Sequence, residues 1–252
     1  GERIPLTIYD FNKPKGTITI IVQKIGKTTH RLCLLNAGDS LLDLIGPLGK
    51  PSAVVNEKPA ETKSYQQVLF ISGGVGAAEV YPIARAFKQK GAGVTVIIGA
   101  KTKQVLILER ELTVSSDKIY ISTDDGSYGR KGFVTDLLGE ILKKDSFDLI
   151  YAIGPVPMMA AVSEMSKPYK IKTVVSLNSI MVDGTGMCGT CRVTVGGKVK
   201  FTCVDGPEFD GHLVDFNELI NRQVRFKKEE DKSWRLFKNS KCKIGESHSS
   251  QQ

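Results

Sequence analysis

Short apolar runs alternate with helix-like periodicity across residues 67–163. Continuous apolar runs at Val68–Ser72, Val94–Ile98 and Leu149–Ile153 are typical of strands that are buried on both faces. Helical periodicity occupies Ala78–Lys90 and about Phe133–Lys143. Weaker segments of the same two kinds are a helix at Lys103–Leu112 and a strand at Lys118–Ser122. Strands that alternate with helices predict a doubly wound α/β domain around a parallel sheet.

The flanking blocks have a different pattern. Residues 1–60 read as β-rich, with strands at Gly16–Gln23 and His30–Leu35, a short apolar segment at Leu41–Ile45, and a polar linker over Ser52–Tyr65. Residues 171–220 are glycine-rich and carry three cysteines, and residues 221–252 read as a polar tail that is disordered over its last six positions. The pattern therefore predicts an α+β protein of several domains.

Composition and charge narrow the class of protein. Of 252 residues, 41% are apolar and 25% are charged, which is typical of globular chains and argues against disordered or collagenous ones. No apolar run reaches the length of a transmembrane helix, and the opening residues do not resemble a signal peptide. We therefore expect a cytoplasmic protein that does not bind membranes.

The net charge of +8 is concentrated near the C-terminus. Residues 221–243 are strongly basic, whereas residues 201–220 carry acids and no Lys or Arg. An excess confined to one stretch favours a surface that faces solvent or a partner protein, with no nucleic acid involved. We expect Arg222–Lys243 to be that surface.

The cysteines predict an iron–sulfur site. Cys188 and Cys191 are followed by Val193–Phe201, which reads as a hairpin with Gly196-Gly197 at its turn. This hairpin would return Cys203 to the first two thiols. Plant-type [2Fe–2S] sites use C-x4-C-x2-C and a distant fourth cysteine. Here Asp183 stands at the first position, and a carboxylate can also bind iron.

Other interpretations of the cysteines remain open. Asp183 and the three cysteines could hold a structural zinc in a binding module without enzymatic activity, or the thiols could be free. Cys242 could replace Asp183 as the fourth ligand. Cys33 lies in an apolar stretch and is expected to be a core residue of a strand. A visible spectrum separates iron–sulfur from zinc.

Glycine turns follow two of the predicted strands. Gly73, Gly74 and Gly76 follow the first strand, and Gly154-Pro155 with Met158 follow another. Strand, glycine turn and helix N-terminus together suit a pyrophosphate. Ligands of doubly wound sheets lie at the carboxyl ends of strands.

The acids after the third strand bear on the choice of nucleotide. Asp124 and Asp125 would repel a ribose 2′-phosphate and could accept hydrogen bonds from ribose hydroxyls, which favours NAD(H) over NADP(H). Arg130 and Lys131 are close by in the sequence, and their positive charges would favour the 2′-phosphate of NADP(H).

The order of these motifs resembles the ferredoxin–NADP reductase superfamily. The order is Arg3-Ile4-Pro5-Leu6-Thr7-Ile8, then Gly46-Pro47-Leu48-Gly49-Lys50, the Gly73 turn, Gly154-Pro155 and the cysteine loop. Within the superfamily the chain is most similar to the small subunits of NADH-dependent ferredoxin:NADP oxidoreductases, also described as sulfide dehydrogenase beta subunits. Electron-transfer subunits of dihydroorotate dehydrogenase B rank second, because they have cysteine where Asp183 stands.

The resemblance implies cofactors and residues that hold them. Arg3 would pair with the FAD pyrophosphate and Thr7 would lie beside the flavin N5 edge. The residues implied for FAD are Arg3, Pro5, Leu6, Thr7, Ile8, Gly46, Leu48, Gly49 and Lys50. Those assigned to NAD(H) are Gly73, Gly74, Gly76, Asp124, Asp125, Gly154, Pro155 and Met158. The [2Fe–2S] ligands would be Asp183, Cys188, Cys191 and Cys203.

The resemblance also implies a domain order and an electron path. The expected units are a partial antiparallel flavin-binding barrel (1–60), an NAD-binding domain (66–170), a [2Fe–2S] domain (171–222) and the basic tail (223–252). Family members carry further strands before the flavin motif, so we expect FAD binding to depend on residues upstream of Gly1. Electrons would pass between NADH, FAD and the cluster, then to a larger flavin and iron–sulfur subunit, with ferredoxin as an indirect partner. Hydride transfer requires no catalytic side chain here.

Overall fold

The computed structural model describes residues 4–52, 54 and 65–246, with the backbone alone from 240 onward. The strands are β1 (Ile8–Asn12), β2 (Thr17–Ile20), β3 (Gln67–Gly73), β4 (Gly93–Ala100), β5 (Lys118–Thr123), β6 (Arg130–Lys131), β7 (Leu149–Ile153), β8 (Lys172–Ser176), β9 (Arg192–Val195), β10 (Lys198–Phe201) and β11 (Glu208–Asp210). The helices are α1 (Lys27–Leu32), α2 (Ala77–Gln89), α3 (Glu109–Val114), α4 (Val134–Ile141), α5 (Val156–Ser166), α6 (Thr202–Asp205), α7 (Phe216–Gln223) and α8 (Lys227–Glu246).

A seven-stranded sheet in the order β11-β8-β7-β3-β4-β5-β6 is the centre of the fold. All neighbouring strands are parallel except β11, which runs antiparallel to β8 at one edge. The chain builds outward from β3 through β4, β5 and β6, then returns to the other side of β3 with β7 and β8. The point where the strand order reverses therefore lies between β3 and β7, which is where such sheets bind ligands.

Alternation along the strands gives the sheet two apolar faces. Val68 and Phe70 of β3 belong to the core beneath α2 and α3, whereas Leu69 and Ile71 belong to the core beneath α4 and α5. All four side chains are fully buried. Because successive residues of a strand point to opposite faces, a continuous apolar run is what a sheet covered on both sides requires. The predicted doubly wound architecture is confirmed.

Most element boundaries in this domain agree with the sequence pattern. The run at Leu149–Ile153 coincides with β7, and α2 and α4 lie within two residues of the predicted helices. The predicted helix at Lys103–Leu112 is instead a 3-10 turn, Lys103–Val105, followed by α3. Leu108 separates the two with a left-handed backbone, φ 59°.

The N-terminal block contains one antiparallel pair, β1 with β2. This pair is what the described residues show of the predicted barrel. The strand predicted at His30–Leu35 is wrong, because α1 occupies Lys27–Leu32. The Thr29 hydroxyl accepts hydrogen bonds from the backbone N–H groups of Ile25 and Gly26, which fixes the start of a helix.

Two further predictions for this block are corrected. Cys33 ends α1 and is partly exposed, so it is not a buried strand residue. Leu41–Ile45 forms no helix or strand and is exposed. Arg3 and most of the predicted linker at Ser52–Tyr65 lie outside the described residues.

The C-terminal part departs from the predicted tail. The hairpin of β9 and β10 is present, with Gly196 and Gly197 at positive φ in its turn. Residues 227–246 form α8, where Trp234 and Phe237 pack edge-on against His30 of α1. These positions, predicted only as a polar tail, are therefore helical, and the last six residues, predicted to be disordered, lie outside the described part.

The large sheet continues into the cysteine-bearing block. Strands β8 and β11 belong to the sheet although they lie beyond residue 170, the limit predicted for the NAD-binding domain. Among the described helices, none has both the length and the apolar character needed to cross a membrane.

Candidate functional site

Two glycine loops meet where the strand order reverses. A Cβ on Gly154 would lie 2.9 Å from the Gly73 nitrogen, and one on Gly73 would lie 2.7 Å from Pro155 Cδ and 2.8 Å from Met158 Sδ. A Cβ on Gly76 would lie 2.3 Å from the carbonyl oxygen of Ile153. Such distances exclude a side chain, so the approach of the two loops requires glycine at these positions.

The β3–α2 turn leaves room for a ligand above Gly74. Gly74 has φ +57°, and a Cβ built there would meet no atom within 4 Å. Helix α2 begins at Ala77, so its free backbone N–H groups and positive dipole end face the same place. Together these features suit a pyrophosphate.

Asp124 and Asp125 follow β5 and are exposed. Hydrogen bonds from the backbone N–H and hydroxyl of Ser127, at 2.9 and 2.7 Å, hold the pKa of Asp125 below its ordinary value. Arg130 forms a salt bridge with Glu140, which reduces the cationic character that the sequence suggested there. A preference of this loop for a ribose hydroxyl over a phosphate stays a prediction.

The N-terminal motif docks on α2. The Thr7 hydroxyl donates a hydrogen bond to Glu79 Oε2 at 3.2 Å. Beyond it, Asp10 pairs with Arg85 at 2.8 Å, and Tyr9 stacks on Tyr81 with ring centroids 5.1 Å apart. Pro5, Leu6 and Ile8 lie beside Thr7 at the surface or half-buried.

The Gly46–Lys50 loop lies against the cysteine block. The Lys50 N–H donates to the Gly206 carbonyl at 2.7 Å, and a Cβ on Gly49 would lie 2.5 Å from the same oxygen. A Cβ on Gly184 would lie 3.1 Å from Leu48 Cδ1. One loop therefore touches the chain on both sides of the cysteines.

Cys191 and Cys203 are buried with their sulfurs 3.2 Å apart and are not disulfide-bonded. The Thr202 hydroxyl donates to the Cys191 carbonyl at 2.6 Å, which ties the two segments together. Burial and the neighbouring Cys191 thiol raise the pKa of Cys203 to about 11. Cys203 therefore stays a protonated thiol at neutral pH unless a bound cation displaces its proton.

Backbone N–H groups point at the thiols. The Gly186 N–H donates to the sulfur of Cys203. The exposed Cys188 thiol accepts from the Thr190 hydroxyl, the Thr190 N–H and the Asp183 N–H, and these bonds lower its pKa. Hydrogen bonds to cysteine sulfurs are among the features that tune iron–sulfur clusters.

The Asp183 carboxylate is the centre of its loop. It accepts from the Thr185 hydroxyl at 2.8 Å and from the backbone N–H groups of Thr185 and Met187, and these bonds lower its pKa. Among the described residues, no three Cys, His, Asp or Glu side chains are grouped as ligands of a single ion. The structure brings Cys191 and Cys203 together, and a role for Asp183 as ligand stays a prediction.

Sequence reasoning missed Glu79. It stands in the first turn of α2, where an acid is an ordinary partner of the helix dipole. Its hydrogen bond with Thr7 joins segments 72 residues apart, and no local pattern reveals such a pairing.

Comparisons with known proteins agree with this geometry. Residues 178–215 match the family model of the iron–sulfur cluster binding domain of dihydroorotate dehydrogenase B. Residues 70–164 match the model of the oxidoreductase NAD-binding domain.

Relatives cover nearly the whole chain. A Thermotoga maritima protein described as a homolog of the electron transfer subunit of dihydroorotate dehydrogenase B (NAD(+)) is 46% identical over 94% of this chain and 81% of its own length. An uncharacterized protein in the adh 3′ region of Clostridium beijerinckii is 50% identical over 92% of this chain and 79% of its own.

A solved structure is similar over the same extent. One chain of a structure of NADH-dependent reduced ferredoxin-NADP oxidoreductase, which gave insights into flavin-based electron bifurcation, is 43% identical. The match covers 94% of this chain and 83% of that chain with a TM-score of 0.85. The chain therefore belongs to the family of dihydroorotate dehydrogenase B electron-transfer subunits and their homologues, and it is an oxidoreductase subunit in which an NAD-binding domain is joined to an iron–sulfur cluster-binding domain.

Proposed function

We propose that this chain is the small electron-transfer subunit of a ferredoxin:NADP oxidoreductase of the NADH-dependent type. It passes electrons between NAD(H), FAD and a [2Fe–2S] cluster, and exchanges them with a larger flavin and iron–sulfur subunit in a heterodimer. Ferredoxin is an indirect redox partner through that subunit, and the complex works in the cytoplasm without a membrane.

The proposal rests on the position of the two segments assigned to FAD, residues 3–8 and 46–50. Thr7 contacts α2, which begins at the glycine turn assigned to the nucleotide. Leu48 lies beside Gly184 of the cysteine loop, because a Cβ built on that glycine would be 3.1 Å from Leu48 Cδ1. A flavin held by both segments lies between the nucleotide and the cluster, which is the order that electron transfer requires.

The residues of the chain have binding and orienting roles. Backbone N–H groups of the Gly73–Gly76 turn bind the NAD(H) pyrophosphate, and Gly154, Pro155 and Met158 close the other wall of that site. FAD, when bound, converts the two-electron chemistry of a hydride into single electrons. The loop at Gly46–Lys50 holds the flavin phosphates, with the remaining contacts from Arg3–Ile8.

The donor set of the cysteine block suits a [2Fe–2S] cluster. Asp183, Cys188, Cys191 and Cys203 supply one carboxylate and three thiolates, and glycines at 184, 186 and 189 adopt positive φ around them. Backbone N–H groups of this loop donate hydrogen bonds to the sulfurs of Cys188 and Cys203. A cluster that the backbone wraps closely requires such hydrogen bonds.

The purified complex should show both flavin and iron–sulfur absorption, and an EPR signal of a [2Fe–2S] cluster after reduction with NADH. Cys203→Ser removes a buried ligand, so this variant should lose the EPR signal and keep the flavin spectrum. Cys33→Ser lies away from the cysteine block and serves as the matched control. A colourless protein that contains zinc would contradict the proposal.

An electron-transfer subunit of dihydroorotate dehydrogenase B is the second candidate. The match of residues 178–215 to that enzyme's iron–sulfur domain favours it, while aspartate at position 183 favours the first. The partner subunit that copurifies decides between them, with dihydroorotate oxidation and ferredoxin-coupled NADP reduction as the two assays.

NADH should be preferred over NADPH as the electron donor. Asp124 and Asp125 place negative charge at the expected ribose site, and Glu140 engages Arg130. Changing both aspartates to alanine should increase the kcat/KM ratio of NADPH to NADH several-fold in a diaphorase assay. Asp145→Ala, whose carboxylate pairs with Lys118 elsewhere on the surface, should leave that ratio unchanged. A wild-type preference for NADPH would refute the assignment.

A further inference from the structure

The last turn of α7 is fastened to the loop that carries the first two cysteines. The Arg222 guanidinium donates a hydrogen bond from Nη2 to the Thr190 carbonyl at 2.9 Å. Beside it, the side-chain amide of Gln223 donates to the Asn178 carbonyl at 2.7 Å. Thr190 lies between the two cysteines in the sequence, and Arg222 is half-buried. A cation is therefore held against the backbone between two of the proposed cluster ligands.

The sequence of α7 explains why Arg222 reaches this loop. Asp215 caps the helix, and its carboxylate accepts a hydrogen bond from the Glu218 N–H at 2.9 Å. Leu219 is fully buried, and Ile220 packs against the same core beneath α5. The buried face fixes the rotation of the helix about its axis. Because residues three apart are neighbours on a helix surface, Arg222 lies beside Leu219 at the edge of that buried face.

A second arginine approaches the same loop. The Arg192 guanidinium donates to the Gly189 carbonyl at 3.4 Å, a longer and weaker contact than that of Arg222. The Gly189 carbonyl belongs to the same peptide group as the Thr190 N–H, which donates to the Cys188 sulfur. Hydrogen bonds in a chain polarise one another. The charge of Arg192 therefore strengthens the hydrogen bond that this sulfur receives.

The positive charge of both arginines is left to act on the cysteine loop. In the described part of the chain, no ion pair with a carboxylate includes Arg192 or Arg222. Arg85 and Arg130, by contrast, each pair with a carboxylate. Arg192 is exposed, so water and salt screen its charge more than they screen that of the half-buried Arg222. We therefore expect Arg222 to have the larger effect.

Electron uptake at the proposed cluster adds negative charge to a site that is already negative. In the proposed function the ligands are three thiolates and the Asp183 carboxylate, and the sulfurs of Cys191 and Cys203 are buried. A positive charge nearby stabilises the reduced form more than the oxidised form, because the reduced form carries one more negative charge. Net charge and hydrogen bonds to sulfur are two of the features that set the reduction potential of iron–sulfur clusters.

We propose that Arg222 is a positioning residue that raises the reduction potential of the cluster, with Arg192 as a weaker second source of positive charge. The Arg222 guanidinium holds the Thr190 carbonyl, which keeps the N–H donors of the loop directed at sulfur, and its charge stabilises the added electron. Each transfer removes one electron from the reduced flavin and adds one to the cluster, and Arg222 makes that transfer more favourable. The inference rests on the proposed function, because that function assigns the ligands.

The test measures the midpoint potential of the cluster in the complete complex by redox titration followed by EPR. Arg222→Gln keeps a hydrogen-bond donor and loses the charge. At the wild-type midpoint potential we expect the ratio of reduced to oxidised cluster to fall roughly tenfold, a shift of about 59 mV to lower potential for a one-electron couple. Arg222→Lys keeps the charge and should restore most of the potential. Arg192→Gln should lower the potential by less.

Arg225→Gln is the matched control. Arg225 lies three residues after Arg222, is exposed, and places its guanidinium 5.7 Å from the centroid of the Phe226 ring. The variant removes the same charge from the same segment and leaves the hydrogen bond to Thr190 in place. Its midpoint potential should equal that of wild type. A shift as large as that of Arg222→Gln would show a general effect of net charge and overturn the proposal.

Iron and sulfide content separate an electrostatic role from a merely structural one. If Arg222 only fastens the loop, Arg222→Gln loses iron while its remaining clusters keep the wild-type midpoint potential. That result overturns the proposal, as does full iron content with an unmoved potential. If Arg222→Gln binds no cluster, Arg192→Gln decides, since a lower potential supports the proposal and an unchanged one overturns it. A wild-type complex without the EPR signal of a [2Fe–2S] cluster overturns the proposed function instead.

Discussion

Asp183→Cys will keep a [2Fe–2S] cluster with altered EPR g-values and potential, whereas Asp183→Ala will lose the cluster or make it labile. A thiolate carries the same formal charge as a carboxylate but donates more electron density to iron. Alanine leaves one coordination position empty. The measurements are iron and sulfide content of the purified complex, EPR after reduction, and a redox titration.

Asparagine at position 183 tests the other role that the structure gives this side chain. Asp183 accepts hydrogen bonds from Thr185 and Met187, and the carbonyl oxygen of asparagine could keep them while it binds iron poorly. If Asp183 is a ligand, Asp183→Cys keeps the cluster and Asp183→Asn loses it. If the side chain only organises the loop, Asp183→Asn keeps the cluster and Asp183→Cys loses it. Cys242→Ala is the control and should change nothing. Loss of the cluster in Cys242→Ala would place a helix α8 residue at the metal instead.

Gly76→Ala will lower the free energy of unfolding by about 1–3 kcal/mol and abolish reduction by NADH. The new Cβ would overlap the carbonyl oxygen of Ile153. That oxygen belongs to the backbone and the Cβ is fixed to the backbone of residue 76, so the β3–α2 turn has to move away from the Gly154 loop. Thermal unfolding measures the first effect. Anaerobic titration with NADH measures the second.

Two other glycines separate stability from binding. Gly74→Ala meets no atom within 4 Å but has φ +57°, so it should cost about 1–2 kcal/mol and weaken NADH binding by occupying the open space. Gly139 in α4 has no contact closer than 3.4 Å, and alanine there should stabilise the protein by up to about 1 kcal/mol. Gly76→Ala with a wild-type Tm and NADH affinity would contradict the site.

The sheet could be predicted because its signals are local. A strand such as Leu149–Ile153 is buried on both faces, so every residue is apolar and the run stands out from its neighbours. The glycine turns are visible because glycine directly after an apolar run is itself a local signal, although the contacts that require Gly76 and Gly154 come from the other loop, far away in sequence.

The elements that depend on distant contacts could not be predicted. Helix α8 is polar in composition, and what it packs against is His30 in α1, about 200 positions earlier. Strand β11 has the sequence EFD and is a strand because β8 offers a free edge. Glu79 is ordinary in sequence, and the groups that act on its carboxyl, Thr7, Ser176 and Glu208, lie in three other segments.

The cysteine-bearing segment leaves the sheet after β8 and rejoins it at β11, and these two strands are hydrogen-bonded neighbours. The Leu177 N–H donates to the Pro207 carbonyl at 2.9 Å. This hydrogen bond joins the two ends of the 31-residue segment 177–207. Because residues 177–207 are anchored in this way, we expect metal release to loosen the β8–β11 edge of the sheet. We therefore expect iron chelators to lower the melting temperature of the NAD-binding domain. We also expect a fragment that ends at residue 170 to aggregate through the uncovered edge of β7.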